Sequence, residues 1–363
     1  MDERRELESY LAGVLGVAVE LLAIRPLKGT LGEEGDPKGF GYGTPLEVEC
    51  LIDGAPRSFV IARTRPERGF GHDYPADLAW QAFWSHGAYN RLPAHVRSYD
   101  VGFKRSGGAL VSAGDAVEFF QLVEKAEGRP YWLDLDRLLT DPIEPRDLAR
   151  VEALARYLAD VHVTNRDAPW LYHRRLRELL GHGECLMGIL DSYPHPYPLL
   201  PPEECEALEH AAVRWRWRLR EKSHRLACVH GDFHPWNLLF REGTDFSVLD
   251  RSRGEWGDPA DDVAALTVNY LFFALLGEAE ARGRFGRLFE RFFEVYLEHT
   301  EDQELFEVLP PFYLFRALVI AHPLWYPEIP GKARTALLRF ARAMAEAQAF
   351  TPTALDAVFG VAR

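Results

Sequence analysis

The segment Val229-His230-Gly231-Asp232-Phe233-His234-Pro235-Trp236-Asn237-Leu238-Leu239-Phe240 gathers the groups in this chain best suited to chemistry. A polar turn containing Gly243 follows, and then Phe246-Ser247-Val248-Leu249-Asp250. Apolar Leu238–Phe240 and Phe246–Leu249 on either side of that turn predict a β-hairpin. Asp232 and Asn237 then lie on the loop entering the hairpin, and Asp250 at its exit. Because hairpin strands run antiparallel, Asn237 and Asp250 are expected near each other. A carboxylate and an amide oxygen suit a hard cation such as Mg2+, which takes oxygen ligands. The separate carboxylate of Asp232 is suited to orient a hydroxyl and accept its proton. Phosphoryl transfer asks for that set of groups, since it needs positioning and charge neutralisation more than covalent help.

The order Asp-x-x-x-x-Asn followed by a metal-binding Asp is that of protein-kinase catalytic loops. Here the pattern is longer: His230-Gly231-Asp232-Phe233-His234-Pro235-Trp236-Asn237, then Asp250, then Gly257-Asp258-Pro259-Ala260-Asp261-Asp262. It resembles the signature of the aminoglycoside phosphotransferase and choline kinase superfamily, the small-molecule relatives of protein kinases. The resemblance implies an α+β, protein-kinase-like two-lobed fold with a small β-rich N-terminal lobe and a larger, mainly helical C-terminal lobe. It implies ATP and Mg2+ as cofactors and a small-molecule hydroxyl as substrate. Asp232 would be the catalytic base, and Asn237 and Asp250 the metal ligands. His230 would brace the catalytic loop, which Asp262 would anchor from the following helix.

Other readings of the same residues stand beside this one. His230, Asp232 and His234 form a His-x-Asp-x-His cluster of the kind a metallohydrolase could use for a transition metal, but that leaves Asn237 and Asp250 unexplained. A catalytically inactive kinase-like nucleotide-binding module is the other alternative. A protein kinase is disfavoured, because His-Gly-Asp replaces His-Arg-Asp and no activation-segment signature follows Asp250. Asp258 precedes Pro259 and a helix, so a structural N-cap is preferred for it. His234 is left between a loop-packing role and a ligand role.

The resemblance also implies that ATP lies under the N-terminal lobe. Lys28-Gly29 and the run Gly39, Gly41 and Gly43 fall between the first two strands, where a phosphate-covering loop belongs; an ordinary flexible connection reads the same way. The third strand of the family usually carries a phosphate-pairing Lys, and Arg63 stands at the matching place. Arg binds phosphate bidentately, with a geometry different from that of Lys. The partner Glu on the next helix is missing, and Asp77 and Gln81 are the substitutes at hand. Glu118–Glu124 reads as the hinge strand, with the backbone near Val123 meeting adenine.

The elements that must position these groups change character along the chain. After a helix over Glu3–Leu15, strands are expected at Val17–Ile24, Leu46–Ile52 and Ser58–Arg63, with Asp53-Gly54 turning the second into the third. A helix over Ala76–Asn90 and strand-like Ala109–Ser112 complete the first lobe, residues 1–124. Residues 125–363 read as helical. Leu148, Val151, Leu154, Leu158 and Val161 recur on one face of a helix begun by Pro145. Further helices are expected from Pro202 towards Lys222, and at Pro259–Leu276, Phe285–His299 and Lys332–Phe350. The Pro-rich patch Tyr193–Pro202 is a loop. Within the Pro202 helix, Arg214-Trp215-Arg216-Trp217-Arg218 reads as buried tryptophans beside a solvated face.

The 363 residues carry 55 Asp and Glu against 42 Lys and Arg, a formal charge of -13. That balance argues against nucleic acid or anionic membrane as a partner, since both demand concentrated positive charge. The apolar stretch Leu266–Leu276 is shorter than the roughly 20 residues of a membrane span. Cys50, Cys185, Cys205 and Cys228 form no Cys-x-x-Cys pair and read as small buried hydrophobes in a reducing compartment. With no leader-like start, a soluble cytoplasmic protein is expected. The family resemblance implies that acceptor-binding groups come from a helical insertion before the catalytic loop and from C-terminal helices, roughly Leu171–Lys222 and Glu301–Pro330, which contain Tyr172, His173, Asp191, Trp325, Tyr326 and Glu328.

Overall fold

Two units divide the chain, Met1–Val123 and Glu124–Arg363; the computed structural model describes residues 3–27, 43, 45–64, 66 and 71–351. In the first unit, helix α1 (Glu3–Leu15) lays Leu7 and Leu11 against Leu21 and Val48 of a three-stranded antiparallel meander. Its strands are β1 (Val19–Pro26), β2 (Leu46–Ile52) and β3 (Ala55–Ile61). Asp53 and Gly54 between β2 and β3 both have positive φ, 52° and 75°, as a two-residue type I′ hairpin requires. Helix α2 (Pro75–Tyr89) and the hairpin of β4 (Gly102–Lys104) with β5 (Leu110–Ser112) follow. Asp100 ties this unit together by accepting from Tyr10 Oη at 2.6 Å, Ser112 Oγ at 3.0 Å and Gly114 N at 3.0 Å.

Two expectations for this unit need correction. The third strand ends at Ile61, so Arg63 lies beyond it. Its partner runs out there, because Leu46 pairs with Ile61 and the preceding Pro45 has no N–H to extend the ladder. Glu118–Glu124 is not a strand; it joins no backbone ladder among the described residues, and Phe120 is 88%, Leu122 93% and Val123 68% exposed. β4 and β5 pair only with each other. Phe and Val suit a strand, but without a ladder partner the backbone groups stay with water.

The second unit is built on helices. In chain order it contains β6 (Arg129–Pro130), α3 (Trp132–Arg137), α4 (Pro145–His162), α5 (Pro169–Gly181), α6 (Leu186–Ser192) and α7 (Pro202–Leu219). There follow β7 (Ala227–Cys228), β8 (Leu238–Phe240), β9 (Phe246–Val248) and β10 (Trp256–Gly257), then α8 (Pro259–Leu276), α9 (Ala279–Thr300), α10 (Leu305–Ala321) and α11 (Gly331–Glu346). The β8–β9 hairpin forms in the expected place, with Leu238 opposite Val248 and Phe240 opposite Phe246, and β6 adds a third strand beside β8. The α+β organisation expected from the motif is the one found.

Helix α8 is the core. It is apolar nearly all round, packs against α9 and α10, and is buried from Pro259 to Leu275 apart from Asp261. By length and composition it is the one helix among the described residues able to cross a membrane, yet 89% of it lies inside the protein, as a central core helix does. Helix α10 falls in Glu301–Pro330, where C-terminal helices were expected, and Pro310 and Pro311 lie within it. Pro310 deprives the Phe306 carbonyl of its helical partner, and Phe350 N donates to that carbonyl at 2.7 Å instead.

The α7 reading is half right. Trp215 is buried under the Arg218 guanidinium at 3.8 Å, whereas Trp217 is 59% exposed between Arg216 and Arg220. Residues two apart are about 200° apart around a helix, so both cannot face one core. Cys50 and Cys185 are buried; Cys205 and Cys228 are half-buried, and all four are free thiols.

Asp258 caps α8 by accepting from Ala260 N at 3.0 Å, the structural role preferred for it. It also accepts from Tyr172 Oη at 2.7 Å and pairs with buried Arg225 at 3.0 Å, which reaches on to Asp302 at 2.7 Å. Removing one partner from a buried pair strands the other charge. Asp258→Asn is therefore expected to destabilise the protein by about 3 kcal/mol, measured as a lower urea midpoint with an unchanged slope.

Candidate active site in the catalytic loop

Short β7 delivers the chain into the loop at Val229, and the loop is held from below by one carboxylate. Asp262, in the first turn of α8 and fully buried, accepts from His230 N and Gly231 N, each at 2.7 Å. His162 of α4 braces it from the other side, with Nε2 at 3.2 Å from Asp262 and Nδ1 at 2.7 Å from Tyr296 Oη. Burial pushes the Asp262 carboxyl up, but the His162 contact and the loop N–H groups outweigh it and hold the group below its ordinary value. Gly231 has φ +87°, and a Cβ there would sit 3.2 Å from Arg253 Cβ. Only glycine adopts that backbone freely.

His230 clamps the loop to the hairpin. Its Nε2 donates to Leu249 O at 2.8 Å, one residue before Asp250, and its Nδ1 accepts from Asp232 N at 3.2 Å. Burial lowers its pKa, which agrees with a neutral ring using one nitrogen as donor and the other as acceptor. With both nitrogens engaged, His230 has no lone pair left for a metal. Among the described residues, no three His, Cys, Asp or Glu side chains gather as a metal site. The metallohydrolase alternative loses its geometry on both counts.

Asn237 Nδ2 donates to Asp232 O at 3.1 Å, and Leu249 N donates to Asn237 O at 2.8 Å. These bonds sew Asp232, Asn237 and the end of β9 into one turn of chain. Asp250 follows, exposed and with φ +55°, a left-handed conformation that Asp tolerates better than most residues. The Asn237 amide nitrogen is spent on the loop, so its oxygen is the atom left for a cation. A two-residue oxygen set is what Mg2+ commonly takes from a protein, with phosphate and water supplying the rest.

The Asp232 side chain is 14% exposed. Arg316 of α10 donates to its Oδ1, to Gly231 O at 2.8 Å and to Asp261 Oδ1 at 2.6 Å. His234 Nε2 lies 3.6 Å and Arg253 Nε 3.9 Å from Asp232 Oδ2. Burial raises the Asp232 carboxyl, but Arg316, His234 and Arg253 together hold it far below the usual carboxylate range. Sequence reading missed Arg316; the signal available was a single cation inside the apolar run Leu305–Ala321. His234 caps the turn through Trp236 N, which donates to Nδ1 at 3.2 Å.

The remaining expected residues fall elsewhere. Arg63, Gly43 and Val123 belong to the first unit, and His230, Asp232, Asn237 and Asp250 to the second. Lys28, Gly29, Gly39 and Gly41 lie outside the described residues. Arg63 is exposed beyond β3, and Gly43 packs so closely on it that a Cβ would stand 1.8 Å from Arg63 O. Asp77 accepts from Asp73 N and Tyr74 N at 2.9 Å each, capping α2, a structural task. Gln81 Oε1 is buried with no partner among the described residues. Of the acceptor-side residues, Tyr172 is committed to Asp258, and His173 Nε2 lies 3.0 Å from Arg220 O. Trp325 is exposed. Tyr326 is half-buried, its phenol pushed up to about 12 by burial and then by the charge of Asp232. Tyr326 meets Trp236 edge to face at 5.9 Å, and Trp236 stacks on Trp132 at 6.2 Å.

The family comparison gives the class of this protein, a phosphotransferase enzyme family. Residues 62–300 match the model of the APH phosphotransferase enzyme family, and the chain belongs to that family. No curated protein matches it in sequence. Similar solved structures include a glucosamine kinase bound to glucosamine, ADP and inorganic phosphate, at 18% identity and TM-score 0.39, covering 60% of this chain and 59% of that one. An amicoumacin kinase with AMP-PNP, Ca2+ and Ami aligns at 14% identity and TM-score 0.42 over 97% of this chain and 98% of that one. The choline kinase LicA from Streptococcus pneumoniae aligns at 12% identity and TM-score 0.33 over 94% and 98%.

Asp232 and Asp262 are both held below the ordinary carboxylate value. Each therefore contributes stability that is fully present above about pH 4 and is lost as pH falls through the folded-state value. Asp262→Asn is expected to lower the urea midpoint at pH 7 and to flatten its dependence on pH between 3 and 7, as followed by circular dichroism.

Proposed function

We propose that this protein transfers the γ-phosphate of ATP to a hydroxyl of a small molecule, with Asp232 as the base. The observation that carries the reading is the stitching of Asp232, Asn237 and the exit of β9 by two backbone-directed hydrogen bonds. It supports the reading by tying the backbone of Asp232 to Asn237, and Asn237 to the residue before Asp250. Asn237 and Asp250 would hold Mg2+, which supplies charge neutralisation on the transferring phosphate.

A carboxylate held so far below its usual range is a weak base, so Asp232 acts first by orienting the acceptor O–H. In a loose phosphoryl-transfer transition state the acceptor oxygen sheds its proton late, as its bond to phosphorus forms. At that stage a weak base is enough. Tyr326 and Trp236 offer an apolar wall against which the acceptor carbon skeleton can lie. Aminoglycosides, choline-like amines, homoserine-like amino acids and sugars are the acceptor classes to screen.

The test is ADP release from Mg-ATP across that acceptor panel. Turnover with at least one hydroxyl acceptor is expected, and Asp232→Ala should lower kcat about 10³-fold, the scale of a lost general base. Nucleotide binding with no turnover for any acceptor would leave the inactive binding module in its place. A second expectation concerns the cation. Asp250→Asn should raise the Mg2+ concentration needed for half-maximal rate while leaving the thermal midpoint unchanged, because Asp250 is exposed and carries no core contact.

A further inference from the structure

Arg316 is a cation where the sequence around it is apolar. It lies on α10 with Phe315 and Ala317 as neighbours and is 5% exposed. Burying a guanidinium costs several kcal/mol unless its donors are satisfied, and here they are. Nε and Nη2 donate to Asp261 Oδ1 at 3.2 and 2.6 Å, Nη2 also to Gly231 O at 2.8 Å, and Nη1 to Asp232 Oδ1. The Phe315 ring lies 5.0 Å from the guanidinium carbon.

The arrangement does more than neutralise. Arg316 grips the carboxylate of Asp232 and the carbonyl of the residue before it, so one planar fork sets both the backbone and the rotamer of the same residue. Oδ1 is thereby occupied. Oδ2 faces His234 Nε2 at 3.6 Å and Arg253 Nε at 3.9 Å, both beyond ordinary hydrogen-bond reach. We propose that Arg316 is a positioning residue for phosphoryl transfer: it fixes Asp232 through Oδ1 so that Oδ2 is the oxygen presented to the acceptor hydroxyl. This rests on the reading of Asp232 as the base.

The charged and titratable groups facing Asp232 come from several elements. His230 and His234 lie on its own loop, Arg253 follows β9, Asp261 reaches it through Arg316 from α8, and Tyr326 follows α10. Arg316 is the strongest cationic influence among them. Without it, only His234 and Arg253 remain beside the Asp232 carboxylate, both on Oδ2 and both beyond hydrogen-bond reach, and nothing among the described residues fixes Oδ1.

The experiment uses the full chain with Mg-ATP, and with water or the best acceptor of the panel, reading kcat and KM from ADP release at pH 7, alongside the carboxyl 13C shift of Asp232 assigned by difference from Asp232→Asn. In Arg316→Gln, kcat should fall about 100-fold, the cost of a misplaced catalytic group, with KM for Mg-ATP unchanged. The Asp232 carboxyl 13C shift should move as well, because the guanidinium no longer donates to Oδ1. Arg316→Lys, which keeps the charge but not the fork, should fall between wild type and Arg316→Gln, and it carries the test if Arg316→Gln does not fold. An unchanged kcat or an unmoved carbon shift in a folded variant would overturn the proposal, as would a raised KM with unchanged kcat. If the wild-type protein shows no turnover with water or any acceptor of the panel, the phosphotransfer reading fails, and the carbon shift alone then decides whether Arg316 holds Asp232.

Discussion

The loop that carries Asp232 has no regular hydrogen-bond ladder of its own, and its shape depends on the buried carboxylate of Asp262. Two backbone N–H groups converge on that carboxylate, and a histidine from a third element holds its far side. Hydrogen bonds to a charged group contribute about 1.5–3 kcal/mol each, enough to offset the desolvation of one carboxylate when several converge. Asp262 sits in the first turn of α8, where the helix N-terminus favours negative charge. The core helix therefore does two things with one residue: it terminates favourably, and it holds the catalytic loop. Any rotation of α8 would carry the loop with it.

A second constraint comes from α10, which packs beside the core helix. Asp232 is bound by Arg316 from α10, which also pairs with Asp261 on α8. The carboxylates at adjacent positions 261 and 262 thus face different tasks. One accepts from the loop backbone, and the other shares a cation with Asp232. A helix turns about 100° per residue, so neighbours in sequence reach different partners. His230 closes the arrangement by joining the loop to Leu249, next to Asp250. The site is a set of short polar links strung between elements that are themselves apolar and rigid.

This division of labour explains the depth of burial around the loop. Phe233 is fully buried and stacks on Tyr157 at 5.7 Å, while Trp236 packs between Trp132, Phe273 and Tyr326. Aromatic residues alternate with the polar ones along Asp232–Asn237, so each polar side chain is flanked by a packed ring. Packing of that kind limits rotamer choice and keeps functional groups near one geometry.

Much of this was legible from spacing alone. The His230–Asn237 loop, the β8–β9 hairpin and the helix from Pro259 to Leu276 follow from local patterns: apolar runs around a turn, a Pro after an Asp, and fixed intervals between oxygen-bearing side chains. Those features are short in range, so the sequence contains them entire. What it did not contain was the partner of each group. Arg316 meets Asp232 across 84 residues and His162 meets Asp262 across 100, and no local pattern encodes a meeting of that span. The helix around Pro310 leans on a distant partner too, because the carbonyl that the proline frees is satisfied by Phe350. Glu118–Glu124 had the residue types of a strand, but pairing is decided by a neighbour, and none of the described strands pairs with it. Residue types and intervals determined which chemistry this chain could attempt; the tertiary structure decided which distant groups hold Asp232 and Asp262, because those contacts join elements far apart in sequence.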